Sequence, residues 1–203
     1  MAVYIEALIL YIILFFSGSG SAEGISSQIM RILLFFIPSI ALIWYLLSRN
    51  WKIEYWIVRP RKKDLFAALI TFPVLLATGS VIALISSITS GSAALSISSP
   101  DTFAGWLVLC ISIILAAYLE ESFFRFYLLS KRKEMNLSSP AALALSTALF
   151  AVCHIYEGPW GFLNAVISGL FLGFVFLRYN TFHGIAIAHG LYNITAYVIN
   201  AVF

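Results

Sequence analysis

Residues 103–129 read FAGWLVLCISIILAAYLEESFFRFYLL. From Phe103 to Leu119 there is no charged side chain. A membrane-spanning helix needs roughly 20 mostly apolar residues at about 1.5 Å each, and this stretch meets that length. Its three charges, Glu120, Glu121 and Arg125, crowd into its last ten residues. Each carboxylate at mid-bilayer costs on the order of 2.5–3.5 kcal/mol on insertion scales. Such groups persist when they pair or when they face a wet cavity.

The rest of the 203-residue chain agrees with a lipid-embedded reading. Hydrophobic residues make up 62% of it and charged residues 10%, with a formal net charge of +3. Soluble domains run at about 45–50% apolar and about 25% charged. Too few polar side chains are present to cover a soluble fold of this size, and disorder is excluded for the same reason. The small, localised positive charge does not suit nucleic-acid binding. Cys110 and Cys153 lie in apolar stretches and match no metal or disulfide spacing.

Six apolar segments are long enough to cross a bilayer: 25–47, 65–88, 103–129, 140–156, 160–178 and 182–203. A seventh, 2–20, is marginal. Its apolar part ends at Phe16, followed by Ser17-Gly18-Ser19-Gly20-Ser21 and a small-residue site near Ala22. A cleaved signal peptide would carry a basic start, whereas this segment carries Glu6 and no Lys or Arg; an uncleaved helix is the expectation. The fold class is thus an all-α, polytopic membrane bundle of six to seven helices, a single domain over residues 1–203.

Basic residues set the orientation. Arg49, Lys52, Arg59, Arg61, Lys62 and Lys63 follow the second segment, Lys131, Arg132 and Lys133 the fourth, and Arg178 precedes the last. These loops alternate with loops holding only Glu23, Asp101 and Glu157. Loops 49–64 and 131–133 are therefore expected in the cytoplasm. Trp51, Tyr55 and Trp56 interleave with the charges of 49–64, a composition suited to the membrane interface. The Ser-, Gly- and Ala-rich stretch 86–101 reads as an outer connector. Arg31, near the outer start of the second segment, is expected to snorkel to the interface.

Polar residues inside the segments carry the chemistry. Glu121 and Arg125 are four apart and share a helix face. Glu120 is turned about 100° away, so it is poorly placed for that pair. A carboxylate without a local partner suits a general base or acid. His154 lies on the fifth segment, and His189 and Asn193, four apart, on the last. His183 is expected at the boundary. Counting about 1.5 Å per residue from the cytoplasmic ends puts Glu120 roughly 16 Å deep, His154 roughly 21 Å, His189 roughly 10 Å and Asn193 roughly 16 Å. With ordinary tilt the four share one layer. Taken singly, His154, or His189 with Asn193, would also serve as interhelical hydrogen-bonding contacts.

These residues fall into three motifs: Glu120-Glu121-Ser122-Phe123-Phe124-Arg125 as EExxxR, Phe150 to His154 as FxxxH, and His189 to Asn193 as HxxxN. In order and spacing they resemble the CPBP group, which comprises type II CAAX prenyl proteases and the bacteriocin-processing and immunity (Abi) proteins. The resemblance covers residues 103–200, including Gly169 and Gly173 as a small-xxx-small packing pair; residues 1–102 add membrane helices and the basic loop. It implies intramembrane proteolysis. Glu120 and His154 would activate a water, His189 and Asn193 would stabilise the oxyanion, and Glu121 with Arg125 would order the site. The chemistry agrees, because peptide hydrolysis needs a base, a proton donor and oxyanion donors. No Gly-x-Ser-x-Gly elbow supports a serine mechanism.

Glu120, His154 and His189 also match the ligand types of a catalytic zinc, although His-Glu-x-x-His is absent. The preferred expectation is a metal-independent glutamate protease without cofactor, with zinc as the alternative. Two non-proteolytic readings stay open: an immunity factor or scaffold, and a proton-coupled transporter, against which no inverted repeat is visible. The expected partners are the lipid bilayer and a membrane-embedded or lipidated peptide or protein, in a prokaryotic plasma membrane.

Overall fold

The computed structural model describes residues 2–16, 24–50, 59–90 and 100–202. Residues 17–23, 51–58 and 91–99 lie outside it. With them go the signal-peptide cleavage region, the interfacial aromatics Trp51, Tyr55 and Trp56, and most of the 86–101 connector.

Every described element is helical. Helix α1 spans Ala2–Phe16. Helix α2 (Ile25–Arg31) passes through a π-helical turn at Ile32–Phe36 into α3 (Ile37–Asn50). Helix α4 covers Lys62–Ser90 with Pro73 inside. Helix α5 (Phe103–Glu121) continues through a second π-helical stretch, Ser122–Tyr127, into the short α6 (Leu128–Ser130). Helix α7 is Ser139–Val152, α8 Gly158–Tyr179 and α9 Phe182–Val202.

Outward surfaces are apolar: Phe66 is 66% exposed and Ile88 76%. Contiguous exposed apolar surface of this kind needs lipid to cover it. Among the described residues, four helical runs are long and apolar enough to cross a bilayer, Ile25–Ser48, Lys62–Thr89, Phe103–Lys133 and Ile155–Tyr179. The chain is thus a helical membrane protein, but six to seven spans are not reached on length and apolarity. Two expected spans are helical but short: α1 has 15 residues and α7 has 14, or about 22 and 21 Å, against a hydrocarbon core of about 30 Å. Helix α9 is long enough, but His183, His189 and Asn193 dilute its apolarity, and its first half is buried among other helices. Its neighbours are α4 and α5, while α8 packs on α7.

The 140–156 segment also ends early. Helix α7 stops at Val152, leaving His154 in the turn before Gly158, whose φ is +79°. Glycine adopts that left-handed conformation without a Cβ penalty, and Pro159 then starts α8.

Polar ties hold the bundle at one end. The Tyr127 hydroxyl donates to Glu6 at 2.6 Å, Lys131 Nζ lies 3.4 Å from the same carboxylate, and Tyr4 donates to the Met135 carbonyl. Glu6, unexpected in an apolar helix, thus docks α1 beside the basic turn at 131–133. The buried Asp64 accepts from the Thr181 hydroxyl at 2.7 Å and the Arg61 amide at 2.8 Å. Arg61 and Lys63 donate to the carbonyls of Asn180 and Tyr179, both at about 2.8–2.9 Å. The basic start of α4 and the α8–α9 turn therefore meet on one side, as the charge alternation requires.

Candidate active site

The α-to-π transition at Glu121–Ser122 falls inside the EExxxR motif. π-helical turns are rare and recur at functional sites. Arg125 and Glu121 are both fully buried, and the guanidinium Nη1 donates to Glu121 Oε1 at 3.0 Å. Arg125 Nη2 reaches the Gly169 carbonyl at 3.4 Å. A Cβ added at Gly169 would come within 3.1 Å of the Phe150 ring and 3.3 Å of Thr147. The absent side chain is what lets α8 approach closely enough for its carbonyl to serve Arg125. Gly173 lies similarly against Leu143, so the expected small-residue pair does face neighbouring helices.

His189, 4% exposed, joins this pair. Its Nδ1 lies 2.9 Å from Glu121 Oε1, and its Nε2 lies 3.7 Å from Glu120 Oε2. A carboxylate oxygen only accepts, so Nδ1 carries a hydrogen when Glu121 is ionised. Glu120 stays outside the Glu121–Arg125 pair, as the helical wheel required, and its buried Oε2 has no hydrogen-bond partner among the described residues.

His154 is placed by its own helix end. Its Nδ1 is 2.8 Å from the Phe150 carbonyl, one of the unpaired C-terminal acceptors of α7. A carbonyl can only accept, so Nδ1 is the protonated nitrogen and the neutral ring keeps its lone pair on Nε2.

Phe150, which carried no chemical argument in the sequence, is the platform of the site. Arg125 lies 4.4 Å over its ring, and the His154 and His189 rings are centred 4.5 and 5.8 Å away. One buried ring thus touches three of the motif side chains, through cation–π and edge contacts.

Two cavities meet here. One, about 840 Å³, is lined mainly by apolar side chains from α1, the α2–α3 helix and α5, including Leu14, Phe15, Phe35 and Phe36, with Arg31 among them. The other, about 640 Å³, is more polar and holds His189, Asn193, Asn164, Ser168, Tyr192 and Glu157. Glu120, His154 and Tyr156 line both. Asn193 thus faces the chamber shared by the other three candidates, and Asn164 donates to the Tyr192 hydroxyl there at 2.9 Å. Asn164 and Tyr192 carried no role in the sequence reading; both are polar residues inside apolar helices, the signal that singled out Glu120 and His154. His183, expected at the boundary, is the second residue of α9 and is 6% exposed, packed on Trp44 and Phe182 and 3.2 Å from the Tyr118 hydroxyl.

Among the described residues no three His, Cys, Asp or Glu side chains are grouped to hold a metal ion.

Residues 100–195 match the family model of the type II CAAX prenyl endopeptidases, Rce1-like. The match covers just under half of the chain and contains EExxxR, FxxxH and HxxxN. It agrees with the resemblance carried by those motifs and supports a CAAX-type membrane protease as the class. No curated protein and no solved structure matches the chain. The Rce1-like segment begins just before α5 and ends within α9; α1 to α4, which supply Leu14, Phe15, Phe16, Arg31, Phe35 and Phe36 to the apolar cavity, lie outside it.

Proposed function

We propose that the protein is an intramembrane endopeptidase in which Glu120 and His154 activate a water against a peptide bond of a membrane-embedded or lipidated substrate. The observation that carries this reading is the position of Glu120 and His154 at the junction of the two cavities, with Glu120 Oε2 accepting no hydrogen bond from a described residue.

Glu120 takes a proton from the water, whose oxygen bonds to the carbonyl carbon. The His154 Nε2 lone pair orients that water. Charge develops on the former carbonyl oxygen, faced by Asn193 and, when doubly protonated, by the Nε2–H of His189. Collapse breaks the C–N bond as the Glu120 proton passes to the leaving nitrogen. One fragment gains a carboxyl group and the other an amine. Glu121 and Arg125 hold His189 in register and take no part in bond making.

No metal or other cofactor enters this scheme. The protein resides in a prokaryotic plasma membrane with loops 49–64 and 131–133 in the cytoplasm, and works without nucleic acid. The test is cleavage of a farnesylated CAAX peptide by protein in detergent, comparing the unmodified chain with Glu120→Gln and His154→Ala. Loss of cleavage in both folded variants supports the reading. Cleavage lost on chelation and restored by zinc would replace the water-only mechanism.

A further inference from the structure

Arg31 ends α2 and lines the same apolar cavity as Glu120 and His154. The sequence alone placed it at the membrane interface. Its guanidinium lies 5.2 Å over the Phe36 ring. The π-helical turn at Ile32–Phe36 explains that contact, since a π turn closes between residues five apart and brings Arg31 and Phe36 to one face. No carboxylate of a described residue lies within ion-pair distance of Arg31. A permanently charged guanidinium among Leu14, Phe15, Phe35 and Phe36 is costly in lipid surroundings.

An uncharged interior peptide segment would bring Arg31 no counter-charge beyond those of the described residues, none of which pairs with it. A chain-terminal carboxylate would bring one, and its two oxygens match the guanidinium fork. The same carboxylate is repelled by Glu120, which keeps it at the Arg31 end of the cavity. The surrounding aromatic and aliphatic walls suit short apolar side chains between the two.

We propose that Arg31 is a specificity residue that pairs with the free C-terminal carboxylate of the substrate, so that the apolar cavity receives the C-terminal fragment and the polar chamber the N-terminal side. This rests on the protease reading above for its orientation, but it is tested by binding. The probe is a fluorescein-labelled, farnesylated hexapeptide with three aliphatic C-terminal residues, prepared as free acid and as amide. Binding to Glu120→Gln protein, which retains Arg31, is measured in phosphatidylcholine vesicles with and without phosphatidylglycerol.

The free acid is expected to bind at least about tenfold tighter than the amide, as a charge-assisted bond requires. Adding Arg31→Gln removes that preference by weakening the acid alone, and Arg31→Lys keeps part of it. Acid and amide binding within twofold of each other, or equal weakening of both by Arg31→Gln, overturns the proposal. So does erasure of the preference by phosphatidylglycerol, which would assign the guanidinium to a lipid phosphate. If the unmodified enzyme cuts neither peptide while the Arg31-dependent preference holds, the protease reading falls and the carboxylate site stands.

Discussion

His189 is bound through Nδ1 to Glu121, with 2.9 Å between Nδ1 and the Oε1 that also accepts from Arg125. One buried oxygen thus orders the candidate oxyanion residue and neutralises a buried guanidinium. Removing one partner of a buried ion pair typically costs about 3–5 kcal/mol, because the other charge is left unpaired. Glu121→Ala is therefore expected to lower the melting temperature in detergent strongly, and the combined Glu121→Gln and Arg125→Met change to cost less than the two single changes added. Thermal unfolding of the unmodified chain, Glu121→Ala, Glu121→Gln, Arg125→Met and the double change checks this. Additive losses would mean that the pair does not act as a unit.

Phe150→Ala should cost about 3–5 kcal/mol of stability, as for other buried aromatic truncations, and should also reduce cleavage through Arg125, His154 and His189. Phe150→Leu, which fills more of the space, should recover stability more fully than activity. Comparing melting temperature with kcat for the two variants measures that divergence.

Gly190 sets the spacing between α9 and α5. A Cβ there would sit 2.6 Å from Ile114 Cδ1 and 3.3 Å from its Cα. Gly190→Val is expected to push α9 outward and lengthen the separation of 3.7 Å between His189 and Glu120. Misplacement of a catalytic group by about 1 Å can cost about 100-fold, so kcat should fall at least tenfold with little change in KM. Steady-state kinetics decide it.

Much of this site is written in local spacing. Glu121 and Arg125 pair because residues four apart share a helix face, and Glu120 is excluded for the same reason. The segments also became helices at nearly the expected positions. Span number was less legible, because hydropathy over 140–156 does not register that α7 ends at Val152 and leaves His154 in a turn. The role of Phe150 depends on three side chains from other elements meeting its ring. The contact of Arg31 with Phe36 was illegible for a related reason, since it depends on the π turn at Ile32–Phe36. The docking of Glu6 on Tyr127 and Lys131 joins residues more than 120 positions apart, beyond the reach of any local pattern.

Asp64 ties α4 to the α8–α9 turn. Asp64→Ala removes the acceptor of Thr181 and of the Arg61 amide. A buried donor left unsatisfied costs about 1–3 kcal/mol, so a lower melting temperature is expected, with faster amide exchange at Thr181. The doubly changed protein Asp64→Ala, Thr181→Val should recover part of that loss. Hydrogen exchange and thermal melting test both.

The central claim is that Glu120 activates the attacking water at the cavity junction. Its most direct test is kcat for cleavage of a farnesylated CAAX peptide by purified Glu120→Gln protein whose melting temperature matches that of the unmodified chain. Loss of a general base typically costs about 100- to 10,000-fold, and a fall of that size is predicted. A rate within about twofold of the unmodified enzyme would contradict the assignment.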